Sequence, residues 1–157
     1  MKRLAAFLVA ALLGCRPAAT RIDRKTEVGT ADTVRGTLVL QGTESFKTAV
    51  LQTANGRVVV DGATDALLRL SHLDLWLRGT RTSADRFLVK DFRVRTVNGL
   101  KAWNGVLRSA PSGFRLELDD GTSHEIRGAP SRFAQLAGSR LWITEMPDGS
   151  VLSYGII

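Results

Sequence analysis

The sequence predicts a mainly β protein of two similar units in tandem, preceded by a leader and a polar tether, and three observations carry this reading. First, Gly62 to Leu77, GATDALLRLSHLDLWL, is matched sixty-six residues on by Gly128 to Ile143, GAPSRFAQLAGSRLWI. Gly62 aligns with Gly128, Ala63 with Ala129, Leu67 with Phe133, Leu70 with Leu136, and Leu75-Trp76-Leu77 with Leu141-Trp142-Ile143. Second, VRGTL at Val34 to Leu38 corresponds to WNGVL at Trp103 to Leu107. Third, polar and apolar residues alternate, most cleanly in Phe114-Arg115-Leu116-Glu117-Leu118, which is the period of a strand with one buried face.

Each unit repeats one order of elements. A first strand carries the shared G-x-L, and a second ends in a hairpin turn at Asn55-Gly56 or Asp120-Gly121, dipeptides that supply the positive φ of tight turns. A third strand runs to Gly62 or Gly128. A short helix follows, capped by Thr64 or Asp65 in the first unit and started by Pro130-Ser131 in the second. Leu67 and Leu70, like Phe133 and Leu136, lie three apart and share a helix face. Two strands complete each unit, Asp74 to Thr80 with Arg86 to Val97, then Arg140 to Glu145 with Ser150 to Ile156 across the turn Pro147-Asp148-Gly149. Three strands, a helix and two strands resemble the OB-fold, a five-stranded Greek-key barrel. The resemblance implies two tandem five-stranded OB-like barrels, each with one short helix, over residues 34–99 and 100–157. It is similar to the layout of small secreted bacterial OB-fold proteins, and an SH3-like barrel pair is the alternative. Units of about 60 residues bury too little surface to be stable alone, so the two are expected to pack together or share an edge.

The amino terminus supplies the address. Lys2 and Arg3 precede ten apolar residues, Leu4 to Leu13, then Gly14 and Cys15, the order of a secretory signal. Ten residues of helix reach about 15 Å, half of a hydrocarbon core of about 30 Å, too short for a permanent span. Leu12-Leu13-Gly14-Cys15 resembles the lipobox of bacterial lipoproteins, with Leu13 a less common residue in its slot. The resemblance implies cleavage before Cys15, acyl chains on its sulfur and amine, and a protein held to a membrane outside the cytoplasm. Two or more buried chains anchor stably where one does not. Arg16 stands where inner-membrane retention often uses Asp, which points to the outer membrane, facing the periplasm, in a Gram-negative cell. Cys15 is the sole cysteine, so no internal disulfide forms and packing must supply the stability. Residues 15–33 form the lipidated cysteine and a polar tether, whose eighteen residues after Cys15 would span roughly 21 to 25 Å as a coil. Loss of residues 1–14 removes Lys2 and Arg3 and lowers the formal charge from +7 to +5.

Signals for catalysis are weak. His124 takes the place of Val58, an inward position, and His72 that of Gly138, just past the helix; both read as structural histidines at a barrel end and a helix end. No H-E-x-x-H or Asp-rich calcium loop occurs, so no metal is expected. Ser71, Ser83 and Ser153 lack a G-x-S-x-G elbow, and Asp119-Asp120 falls in a hairpin turn where both residues are ordinary. None of the fifteen glycines forms a phosphate-binding loop, and no cofactor is implied. A hydrolase or transferase is disfavoured; the expectation is a protein that is not an enzyme.

The binding candidates are aromatic and basic. Trp76 and Trp142 each lie between inward aliphatic residues, so their indoles face outward, as ligand platforms or, the favoured reading, as cover for a seam between units or as rings beneath a loop. Trp103 belongs to the same seam. The first unit has ten Lys or Arg and six Asp or Glu, and much of the excess is Arg78, Arg81, Arg86, Lys90, Arg93 and Arg95; the second has six of each. Such a face would attract anionic lipid, lipopolysaccharide or another polyanion, although a solvated strand face is the favoured reading. Nucleic acid is not expected, because TAVLQT and RVVVD, the strands that would stack bases in an OB-fold, hold no aromatic residue. The leading expectation is a lipid-anchored envelope protein that binds another envelope protein or a glycan; the alternative is a polyanion binder acting through the basic face.

Overall fold

The computed structural model describes residues 29–43 and 46–157. Cys15, the leader and most of the predicted tether lie outside the described residues. The fold is mainly β, in two sheets. The first contains β1 (Ala31–Thr43), β2 (Phe46–Thr53), β3 (Gly56–Asp61), β4 (Asp74–Arg81), β5 (Arg86–Val97) and the short β6 (Leu100–Lys101), with α1 (Asp65–Leu68) between β3 and β4. Their order is β3-β2-β1-β4-β5-β6. A parallel pairing of Val59 with Arg86, Val60 with Phe87 and Asp61 with Leu88 joins β3 to β5 and closes β1 to β5 into a barrel. The strand order and the single parallel closure agree with the OB-like layout expected of the first unit.

The second sheet contains β7 (Trp103–Ala110), β8 (Gly113–Leu118), β9 (Ser123–Ile126), β10 (Arg140–Glu145) and β11 (Val151–Ile156), with α2 (Phe133–Leu136) before β10. Its order, β11-β10-β7-β8-β9, repeats that of the first. It is not closed. Where β3 meets β5 over a run of residues, the corresponding strands here share a single parallel bridge, Arg127 to Ser150, beyond the end of β9. The expected second barrel is therefore an open sheet.

The two sheets use the same local devices. Gly36 and Gly105, the glycines of the first strands, pass so close to the second strand that a Cβ would drive into the carbonyl oxygen of Gln52 or of Glu117. The helices end alike. His72 donates its backbone N–H to the Leu38 carbonyl at 2.7 Å, and Leu38 donates to Leu73 at 3.1 Å; Gly138 and Leu107 make the same pair of bonds at 2.8 and 2.9 Å. Both residues adopt the left-handed backbone, His72 at φ 69° and Gly138 at φ 89°, so the histidine occupies a helix-stop position that favours glycine. Thr64 caps α1, its Oγ1 accepting from the Leu67 N–H at 3.4 Å. In the second unit Pro130 does start the turn, its carbonyl accepting from Phe133 at 2.9 Å, without a side-chain cap. The positive φ of the two predicted hairpins falls on Gly56 and Gly121 alone, not on Asn55 or Asp120.

Two of the boundary differences from the sequence reading lie at the ends of the first unit. The ordered strand starts at Ala31 rather than Val34, because Ala31 and Thr33 pair with Thr80 and Arg78. Residues Leu100 and Lys101 pair back onto Val97 and Thr96 through a tight turn at Asn98 and Gly99, both of positive φ, and so extend the first sheet.

Leu38, Leu51, Leu67, Leu75, Leu77 and Phe87 are fully buried in the barrel, while Leu107, Leu116, Phe133, Leu141 and Ile143 fill the second core. The alternation in β8 holds, with Leu116 buried and Arg115 and Glu117 exposed. Trp142 joins the two: it lies on β10, between core residues Leu141 and Ile143, yet its indole packs into the apolar cluster of the first sheet, which includes Val97 and Ala102. It is 9% exposed, and the ring lies so near Gly155 that a Cβ there would stand 2.6 Å from Nε1. The seam predicted for Trp142 is present.

Two sets of variants test this packing. Gly36→Ala and Gly105→Ala should each destabilise by about 3 kcal/mol or more in urea unfolding, since the clash is with backbone that cannot turn aside. Trp142→Ala should cost about 3–5 kcal/mol through loss of the seam. Trp142→Phe should cost less than about 1.5 kcal/mol, because it keeps most of the volume and removes an indole N–H that is buried without an acceptor among the described residues.

Candidate functional site

Trp76 sits mid-strand on β4, paired across the sheet with Arg35 of β1 and Arg93 of β5. Leu75 and Leu77 on either side are fully buried, so the indole projects from the outer face, where it is 43% exposed. Its repeat counterpart Trp142 is covered by the first sheet; Trp76 has no such cover. The seam reading expected of both tryptophans is therefore corrected for Trp76.

Clefts open on Trp76 from two directions. One, of about 250 Å³, is lined by Thr33, Arg78, Asp91, Phe92 and Arg93 together with the indole. The other, of about 210 Å³, lies between the sheets and brings Trp76 to Trp103, with Arg93, Arg95, Lys101, Asn104, Asp119 and Asp120 in its walls. Both are open and small, unlike the enclosed pockets of roughly 300–1,000 Å³ that swallow a compact ligand.

The floor of this region is set by contacts between the sheets. Asn104, the residue that replaces Arg35 in the repeat, accepts from the Val94 N–H at 2.8 Å and donates Nδ2 to the Val94 carbonyl at 2.7 Å, clipping the start of β7 to β5. Asp119 binds Arg93 of the first sheet and Arg140 of the second, each at 2.8 Å. Asp91 lies 3.3 Å from Arg78 and 3.6 Å from Arg140. Asp119 is thus an inter-sheet clamp rather than an ordinary turn residue. Trp103 is held by Lys101, whose Nζ is 3.5 Å from a ring centroid, and by His124, stacked at 4.2 Å with an interplanar angle of 15°.

The predicted basic residues are present on the strands but are largely committed. Arg78 pairs with Asp91, Arg81 with Asp32, Arg86 with Asp61, Arg93 with Asp119, and Arg95 with Asp74. Lys90 is exposed and has no ion pair among the described residues. Of the predicted binding residues, Trp76, Arg78, Arg93 and Arg95 meet at the clefts; Arg81, Lys90 and Trp142 do not line them. Lys101, Asn104, Asp119 and Asp120 were not singled out for binding in the sequence. The Asn98-Gly99 hairpin signal is what would have placed Lys101 back against the first sheet.

His124 is half-buried on β9, its Nε2 2.8 Å from Glu145 Oε1. His72 is exposed at the end of α1. Among the described residues no group of three or more His, Cys, Asp or Glu side chains is arranged to hold a metal ion.

Two turn carboxylates are favoured in their ionised form by hydrogen bonds within their own turns. Asp120 is held below the ordinary aspartate range by the Thr122 hydroxyl, which donates at 2.6 Å, and by the Thr122 N–H at 2.9 Å. Asp148 is lowered in the same way by the Ser150 hydroxyl and N–H. A carboxyl lowered on folding contributes stability that is present above the unfolded-chain value of about pH 4 and is lost as pH falls through the depressed folded value. Near-ultraviolet circular dichroism during acid titration should therefore show a weaker loss of structure below about pH 4 in the Asp120→Asn, Asp148→Asn double variant than in the parent.

Comparison of the chain with protein-family models, with curated proteins and with solved structures finds no match.

Proposed function

We propose that this chain is a lipid-anchored, non-enzymatic binding module of the bacterial cell envelope, built from two OB-like units of common origin, whose ligand surface is the region around Trp76 and Trp103. The observation that carries the proposal is the difference between equivalent tryptophans. One ring, Trp142, is buried at the seam; the other, Trp76, is left 43% exposed at the meeting point of both clefts. A large exposed ring on a central strand, beside a small set of polar side chains, has the composition of a recognition surface.

Binding is favoured over catalysis by the state of the carboxylates. Asp91 accepts from the Phe92 N–H and is ion-paired with Arg78, Asp119 accepts from Arg140 and is ion-paired with Arg93, and Asp120 accepts from Thr122, so the acids that line the clefts are held as partnered acceptors rather than poised as bases. The lipid anchor is supported by the lipobox order ending at the one cysteine, Cys15, and it places the module at a membrane outside the cytoplasm, at the periplasmic face of the outer membrane in a Gram-negative cell.

Membrane fractionation and crosslinked co-purification from the native envelope test both parts. The parent should partition with membranes, and Cys15→Ser should move to the soluble fraction; membrane partition equal to the parent's would refute the anchor. Trp76→Ala should remain membrane-bound, melt as the parent does and lose most of its crosslinked envelope material. Unchanged recovery would show that the surface around Trp76 is not the ligand site.

A further inference from the structure

We infer that the ligand of the Trp76 surface is an uncharged saccharide chain, an inference that rests on the reading of this surface as the binding site. Charge is the deciding feature. Each arginine lining the two clefts already has a carboxylate partner: Arg78 has Asp91 at 3.3 Å, Arg93 has Asp119 at 2.8 Å, and Arg95 has Asp74, whose Oδ2 accepts from Nε at 2.7 Å. The remaining cation, Lys101, lies over the Trp103 ring. A phosphate, sulfate or carboxylate ligand would either draw a guanidinium away from its carboxylate, leaving Asp91 and Asp119 with Arg140 alone, or bind a spare N–H with that carboxylate's like charge beside it.

A guanidinium paired with a carboxylate offers something else. The arginines keep N–H donors beyond those their partners use, the carboxylates keep unused lone pairs, and the charges cancel, with Arg78, Arg93 and Arg140 set against Asp91, Asp119 and Asp120, and Arg95 against Asp74. Donors and acceptors side by side without a net field match vicinal hydroxyls, which both donate and accept. Trp76 supplies the second half of saccharide chemistry. A sugar ring has an apolar C–H face, and the flat, half-exposed indole is a surface on which that face can lie and shed water.

Shape extends the ligand beyond a single ring. Trp76 borders both clefts, one towards Thr33 and Phe92 and the other towards Trp103 and Asn104, and each is open and of only about 210–250 Å³. A ligand seated on Trp76 continues into both, as a chain of sugar units does and a compact metabolite does not. Lys90 on β5 is exposed and unpaired among the described residues and lines neither cleft, so it provides an internal control.

The test is calorimetric titration of the full chain, in a detergent without a sugar headgroup, with β-1,4-linked N-acetylglucosamine oligomers, α-1,4- and β-1,4-glucan oligomers, and dextran sulfate as the acidic probe. At least one neutral oligosaccharide should bind saturably, with an affinity that changes less than about twofold between low and high salt, because no counterions are released. Trp76→Ala should weaken it at least about tenfold, as expected for a central aromatic anchor, while Trp76→Phe retains most of it and Lys90→Glu leaves it within about twofold. A matched thermal melt of Trp76→Ala keeps lost binding distinct from lost fold. Failure of every neutral oligosaccharide to bind overturns the inference. If dextran sulfate then binds in a steeply salt-dependent manner that still requires Trp76, the ligand class is wrong and the site stands. If a saccharide binds equally well to Trp76→Ala, the site itself is misplaced.

Discussion

The burial of Trp142 is the contact on which the second half of this protein depends. The first sheet closes on itself through the parallel pairing of β3 with β5, so its core is sealed by its own strands. The second sheet has the same strand order but only the Arg127–Ser150 bridge at the matching place. An open sheet of this length exposes one side of its core, and a unit of about 60 residues has little stability to spare. Trp142 meets that deficit by carrying a large apolar surface from the outside of β10 into the cluster around Val97 and Ala102. Polar contacts then tie the sheets together: Asn104 of β7 bonds the Val94 backbone of β5, and Asp119 pairs with Arg93 of the first sheet and Arg140 of the second.

The same seam produces the surface around Trp76. Duplication alone would leave two equivalent outward tryptophans. Once one is consumed in joining the sheets, the other stays exposed at the margin of the joint, and the joint brings Trp103, Lys101 and Asn104 towards it. Packing at the seam and the proposed binding surface are therefore divided between two copies of one motif. The stabilising ring can be neither moved nor polar, whereas the exposed ring is under no packing constraint of that kind.

The arginines change meaning when the strands are paired. Along the sequence, Arg78, Arg93 and Arg95 read as an excess of positive charge, because their partners are distant: Asp119 lies twenty-six residues after Arg93, and Asp74 twenty-one before Arg95. In the sheet, Asp74 is a cross-strand neighbour of the bulged segment of β5 that carries Arg95, and Asp119 reaches across the seam. The excess cations remain, at Arg35 and Lys90 among others, but not in the clefts.

What the sequence determined by itself is local or periodic. Alternation put Leu116 inside and Arg115 outside, the self-match placed His72 and Gly138 at equivalent helix stops, and turn residues marked the hairpins, because these features follow from the pleat, from backbone φ and from bonds between near neighbours. The proposed leader and its cysteine rest on the same kind of reading, since a secretory signal would be read as a linear string. Closure of one sheet and not the other, the separate fates of Trp76 and Trp142, and the partners of the arginines were decided only in three dimensions. Each depends on which surfaces meet after the strands are paired, and a motif written twice cannot specify which copy will lie against the other.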